Sequence, residues 1–174
     1  CQDSKLILLC IHALKTEPET VQNSIPLILR IGFRKQPNIS PHYHQYAVEV
    51  LLGTLGAPFP SSIALGSLAR TCSLDTFKFM FETLLQHLSD GNHVLATVHT
   101  IRSICDEFGH YTPDAGLSQA KFAEYVPVVL TKMLDLIPKS KNATTQTLLD
   151  CVATLLEYQA PIDEELDNIV KVRV

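Results

Sequence analysis

Residues Leu74 to Phe108 carry two apolar stripes at helical spacing, separated by the short polar turn Ser89-Asp90-Gly91-Asn92. On the first segment Leu84, Leu85 and Leu88 share a face. On the second, Val94, Val98, Ile101, Cys105 and Phe108 step by four, three, four and three residues. That rhythm is the period of an α-helix with one buried side. Two such helices joined by a short turn must fold back and bury their stripes against each other. The pair keeps apolar surface to spare, so it needs neighbours above and below.

The rest of the chain supplies them. Leu6 to Leu14 is almost continuously apolar and fits a buried strand or a buried helix by periodicity; the helical segments that follow favour a helix. Thr16-Glu17-Pro18 ends it, and a second helix is expected from Glu19-Thr20 with Val21, Ile25, Leu27, Ile28 and Ile31 inward. Pro26 should kink or restart that helix, because proline lacks the amide donor and clashes with the carbonyl four residues back. Ser40-Pro41 is a good N-cap and first-turn pair, predicting a helix through Tyr46, Val50 and Leu51 to about Leu55. Pro60-Ser61-Ser62 opens a short helix to Cys72 with Ile63, Leu65 and Leu68. After a polar loop at His110 to Gly116, a long helix runs from Leu117 to Ile137, with Phe122, Val126, Val129, Leu130, Met133, Leu134 and Ile137 inward and Pro127 inside the pattern. Ala143 to Tyr158 forms another helix on Leu148, Cys151, Val152 and Leu155. A last amphipathic piece follows Pro161, on Ile162, Leu166, Ile169 and Val170.

Sliding these segments along the chain reveals a repeat. An offset of fifty residues pairs Leu84 with Leu134, Val98 with Leu148, Ile101 with Cys151, Cys105 with Leu155 and Phe108 with Tyr158. Going backward, an offset of thirty-three pairs Leu65 with Val98, Leu68 with Ile101 and Cys72 with Cys105. Paired helices with proline near their starts, repeating at roughly 40 to 47 residues, resemble HEAT or armadillo repeats. The resemblance covers nearly the whole of residues 1–174 as a single all-α domain. It implies an α-solenoid of about four helical hairpins in a right-handed superhelix, with an extended curved binding surface in place of a catalytic pocket.

A chain of 174 residues, 46% apolar and 18% charged, can bury a substantial core and is neither disordered nor fibrous. Its net charge of −4 gives no general attraction to phosphate backbones or anionic membranes. No apolar run approaches the roughly 20 residues of a membrane span. Cys1, Cys10, Cys72, Cys105 and Cys151 are widely spaced, odd in number and mostly at apolar positions of the pattern. They read as free thiols of a reducing compartment, which places the protein inside the cell, in cytoplasm or nucleus. Asn38-Ile39-Ser40 and Asn142-Ala143-Thr144 match the glycosylation pattern, but Pro41 follows the first, and such tripeptides arise often by chance. The chain begins at Cys1, which suggests a piece of a larger protein.

Residues that could carry chemistry are sparse. The glycines fall at helix ends or inside helices, so no phosphate-cradling loop is expected. His42 and His44 point to different sides of a helix. His87, Asp90 and His93 straddle a turn and could in principle reach one metal ion, but solvated turn residues are the simpler reading. Cys105 with His99 or His110 could be drawn as nucleophile and base, yet a thiol on a buried stripe is inert. The expectation is a protein that is not an enzyme and needs no cofactor or metal.

Binding is expected along the second helices. Opposite the stripe lie His99, Thr100, Ser103 and Glu107. The repeat offsets bring Gly66, Ser67 and Arg70, and then Leu149, Asp150 and Ala153, to matching places. If the second helices line one side of a solenoid, these residues form a strip of small and polar groups for another protein. The alternative is a nucleic-acid-associated helical repeat using Arg30, Arg34, Lys35, Lys139 and Lys141, which requires those residues on one face.

Overall fold

The computed structural model describes residues 2–16, 24–35, 41–56, 60–109 and 116–159. Among them the regular structure is helical, with no strand. The helices are α1 (Gln2–Thr16), α2 (Ile25–Lys35), α3 (Pro41–Gly53), α4 (Pro60–Thr71), α5 (Leu74–Asp90), α6 (Val94–Phe108), α7 (Leu117–Leu136) and α8 (Asn142–Gln159), with a 3-10 turn at Ile137–Lys139.

Local chemistry sets the boundaries. Ser73 caps α5, its hydroxyl accepting from the Thr76 amide at 3.2 Å. Gly91 ends α5 at φ 69°, a left-handed conformation that costs glycine least, and its amide closes on the carbonyls of His87 and Leu88. Pro41 and Pro60 stand at helix starts, and Pro26 is the second residue of α2, where the missing amide costs no hydrogen bond. Pro26 therefore marks a start and not a kink. Pro127 does lie inside α7, on its exposed side.

The helices pair in chain order: α1 with α2, α3 with α4, α5 with α6, α7 with α8. The second members, α2, α4, α6 and α8, lie side by side in one row, and α1, α3, α5 and α7 form a row against it. Between the rows runs the core, from Ile7, Ile11 and Leu14 through Leu29, Phe33, Leu51, Leu65 and Leu68 to Phe122, Met133, Leu148 and Leu155. Aromatic rings fill its later part. Phe81 stacks on Tyr125 with centroids 4.8 Å apart and meets Phe122 edge-on at 5.4 Å, and Phe122 meets Tyr158 at 5.0 Å. Such pairs add about 0.5–1.5 kcal/mol beyond their buried area.

Two inward assignments are corrected. On α2 the buried stripe is Ile25, Leu29 and Phe33, while Leu27, Ile28 and Ile31 are 46, 48 and 56% exposed. Over Ile25–Lys35 the side facing the core is a single stripe of residues four apart, which leaves the other sides of the helix open. On α7, Leu134 is 54% exposed and Met133 fully buried. The 3-10 turn at Ile137–Lys139 lengthens the link to α8. The offset of fifty that aligns α6 with α8 therefore overshoots on the partner helix, and Val129 and Met133 take the places of Leu84 and Leu88. Val21, Glu19-Thr20 and the amphipathic run from Ile162 to Val170 lie outside the described residues.

Candidate functional site

The expected binding strip falls on α4 and α6, and the way these helices meet decides what it can do. A Cβ built on Gly66 would come within 2.8 Å of the Ser103 backbone, so the two helices touch nearly backbone to backbone. Small residues make that approach possible. Ser62 donates its hydroxyl to the Ala96 carbonyl at 3.0 Å, and Ser67 donates to the Glu107 carboxylate at 2.8 Å. Thr100 turns its hydroxyl back to the Ala96 carbonyl at 2.8 Å. Arg30 reaches across from α2, with Nε 3.6 Å from the same Glu107 carboxylate.

The strip residues therefore divide. Ser67 and Thr100 are buried and Glu107 is 9% exposed, so none of the three belongs to an open face; Ser67 and Glu107 tie α4 to α6, and Thr100 bonds within α6. Ser103 is half-buried in the same contact. His99 is half-buried, and burial together with the neighbouring Arg102 charge pushes its imidazole below the usual histidine range. Arg70, Leu149 and Asp150 are exposed.

The face left open on these helices is rotated from the expected one. On α6 it comprises His99, Arg102 and Asp106, stepping by three and four residues; on α4 it comprises Ile63 and Arg70. Arg102, Asp106 and Ile63 were missed by the sequence reading. A helix wheel centred on the buried Val98, Ile101 and Cys105 identifies a solvent side only if the helix has one buried face. Here α6 is covered on a second side by α4, which turns the open face toward Arg102 and Asp106.

Other groups offer little chemistry. An open cleft of about 560 Å³ at the ends of α4 and α6 and the start of α7 brings Arg70, Ser73, Glu107 and Gln119 together. Cys72 also borders it, but burial pushes that thiol up to about 12, far from a nucleophilic thiolate at neutral pH. Burial raises Cys105 as well, with nearby Cys151 and Asp106 adding to the effect. The rings of His87 and His93 lie perpendicular, with centroids 5.6 Å apart. Among the described residues no three His, Cys, Asp or Glu side chains are grouped to hold a metal ion, and no helix is long and apolar enough to cross a membrane. Of the basic residues, Arg30 is engaged with Glu107, and Lys139 and Lys141 sit in the link between α7 and α8, far along the row from α2.

No protein-family model matches this chain, no curated protein matches its sequence and no solved structure matches its fold.

Proposed function

We propose that this chain is a non-catalytic protein-interaction scaffold, an α-solenoid segment of HEAT or armadillo type with four hairpins in a right-handed superhelix. The observation that carries the reading is the use made of polar groups along the second-helix row. Ser62, Ser67 and Glu107 join α4 to α6, Thr100 turns its hydroxyl into its own helix, and the open side of the row is left with Arg70, Arg102 and Asp106 beside the half-buried Ile63 and His99. A mixed apolar and charged strip on a stacked scaffold suits an extended protein segment, which it would hold by rim charges and a few apolar anchors. Leu149 and Asp150 continue that strip on α8. The basic-surface alternative is less favoured, because Arg30 is engaged with Glu107 and lies far along the row from Lys139 and Lys141.

Two measurements test the proposal. Small-angle scattering should give a radius of gyration above the roughly 16 Å of a compact domain of this length; a value at that figure would contradict the solenoid. Affinity capture with the full chain should retain a protein partner that Arg70→Glu with Arg102→Glu releases, with the melting curve unchanged. Retention by that double variant would move the binding face off this strip, and retention of nucleic acid in its place would favour the alternative.

A further inference from the structure

Helical hairpins in a stack ordinarily touch only the hairpins beside them. Arg30 and Glu107 reach farther. Arg30 is on α2, in the first hairpin, and Glu107 on α6, in the third, yet the Arg30 Nε lies 3.6 Å from the Glu107 carboxylate. Between them runs α4, which packs on both α2 and α6. Its Ser67 donates to the same carboxylate at 2.8 Å. The carboxylate on α6 is thus shared by a cation from the first hairpin and a hydroxyl from the second.

Helix α4 is shaped to be spanned. At about 100° per residue, Ser67 lies roughly 160° around α4 from Leu65, whose side chain is in the core. That bearing is the outward one, and Ser67 is nevertheless 1% exposed. Gly66 admits the Ser103 backbone on one flank, so α6 stands close enough for Glu107 to lie over the Ser67 hydroxyl. Between Ser61 and Ala69 only Ile63 is not buried.

Both charges are drawn away from water. The Glu107 side chain is 4% exposed. The Arg30 side chain is 37% exposed, but its Nε is buried and meets no hydrogen-bond partner among the described residues, so the nearby carboxylate is what offsets its burial. A pair dry on one side and open on the other falls between an exposed ion pair, which contributes little, and a buried one, whose rupture costs much.

We propose that Arg30 and Glu107 form a strap over α4 that makes the first three hairpins open as one body, so that a change in α6 is felt in α1 and α2. The inference goes beyond the scaffold reading and holds or fails independently of any partner. Without the strap the first hairpin is held by the second alone and opens by itself, as an end unit of a stack does.

Native-state hydrogen exchange on the full chain, read helix by helix by mass spectrometry, tests it with Arg30→Met, Glu107→Gln and the double variant. Methionine keeps most of the apolar stem of arginine, and glutamine keeps an oxygen for Ser67, so each removes a charge and little else. In each single variant the amides of α1 and α2 should exchange about tenfold faster than in the parent, and those of α7 and α8 at the parent's rate. The double variant should be no faster than the singles. Arg30→Lys keeps the charge and should keep most of the protection. Unchanged exchange of α1 and α2 in Glu107→Gln would overturn the proposal, because the strap is what carries that substitution to the first hairpin. So would a double variant in which the two accelerations multiply, or an acceleration spread evenly over every described helix, which would mark a general loss of stability. Should Glu107→Gln fail to fold, the Arg30 variants still decide: equal acceleration in Arg30→Met and Arg30→Lys would mean that the charge is not what holds the hairpins together.

Discussion

A Cβ on Gly66 of α4 would stand 2.7 Å from the Cβ of Ser103 on α6 and 2.8 Å from its carbonyl carbon and oxygen. Backbone cannot move aside as a flexible side chain can, so even one methyl group must push the helices apart. Gly66→Ala is therefore expected to cost about 1–3 kcal/mol, although alanine is the better helix former. Gly53, with nothing within 4 Å of its built Cβ, is the control. Gly53→Ala should stay within about 0.5 kcal/mol of the parent. Urea unfolding midpoints decide it: equal midpoints for the two variants would mean that α4 and α6 are farther apart than described.

The Ser67 to Glu107 hydrogen bond joins the same two helices out of reach of solvent. Removing the donor leaves a buried carboxylate with one partner fewer, so Ser67→Ala should cost about 1.5–3 kcal/mol. In a double-mutant cycle with Glu107→Gln the two losses should fail to add, with a coupling of at least about 0.5 kcal/mol. Additive losses would show that the bond is not formed in solution.

Burial holds Cys72 and Cys151 up at about 12 and raises Cys105 as well. In a Cys1→Ser/Cys10→Ser background, the three remaining thiols should label slowly at about pH 8 in the native state and rapidly in denaturant, since the thiolate is the reacting form. Rapid native labelling of Cys105 would contradict its place on the buried stripe of α6.

His44 is 2% exposed, packs edge-on to Phe33 at 6.2 Å, and has a buried Nε2 that meets no hydrogen-bond donor or acceptor among the described residues. Burial lowers its native pKa. The unfolded chain takes up a proton near the ordinary value of about 6.5 while the folded chain resists it, so stability falls as pH drops below about 6.5 toward the native value. His44→Leu removes that proton-binding difference. Its melting temperature should fall less than the parent's between about pH 7 and pH 5. Parallel curves would mean that His44 charges as readily in the fold as outside it.

Ile101 is fully buried and Arg70 exposed. Ile101→Ala should cost about 2–5 kcal/mol, and Arg70→Glu under about 0.5 kcal/mol, in the same unfolding assay. A large loss for Arg70→Glu would place it in a supporting contact and remove it from the open face.

The helices themselves were legible in the sequence, and the reason is local. Apolar spacing along Val94, Val98, Ile101 and Cys105 fixes the α period, Ser73 and Gly91 fix the ends of α5, and Pro41 and Pro60 fix two starts, each through interactions within a turn or two. The burial of Cys72, Cys105 and Cys151 followed from the same stripes. Which second side of a helix is covered depends on a neighbour distant in the chain. Ser67, Thr100 and Glu107 look like solvent-facing residues on α4 and α6 taken singly, and become interior only when Gly66 lets those helices close on each other. Leu27, Ile28 and Ile31 look like core and stand bare, because α2 buries the stripe of Ile25, Leu29 and Phe33 and no described helix lies on its other side. The sequence by itself determined the helices and their stripes, since these rest on near-neighbour chemistry; the tertiary structure decided which faces remain open, since that is settled by contacts between residues such as Gly66 and Ser103 or Arg30 and Glu107.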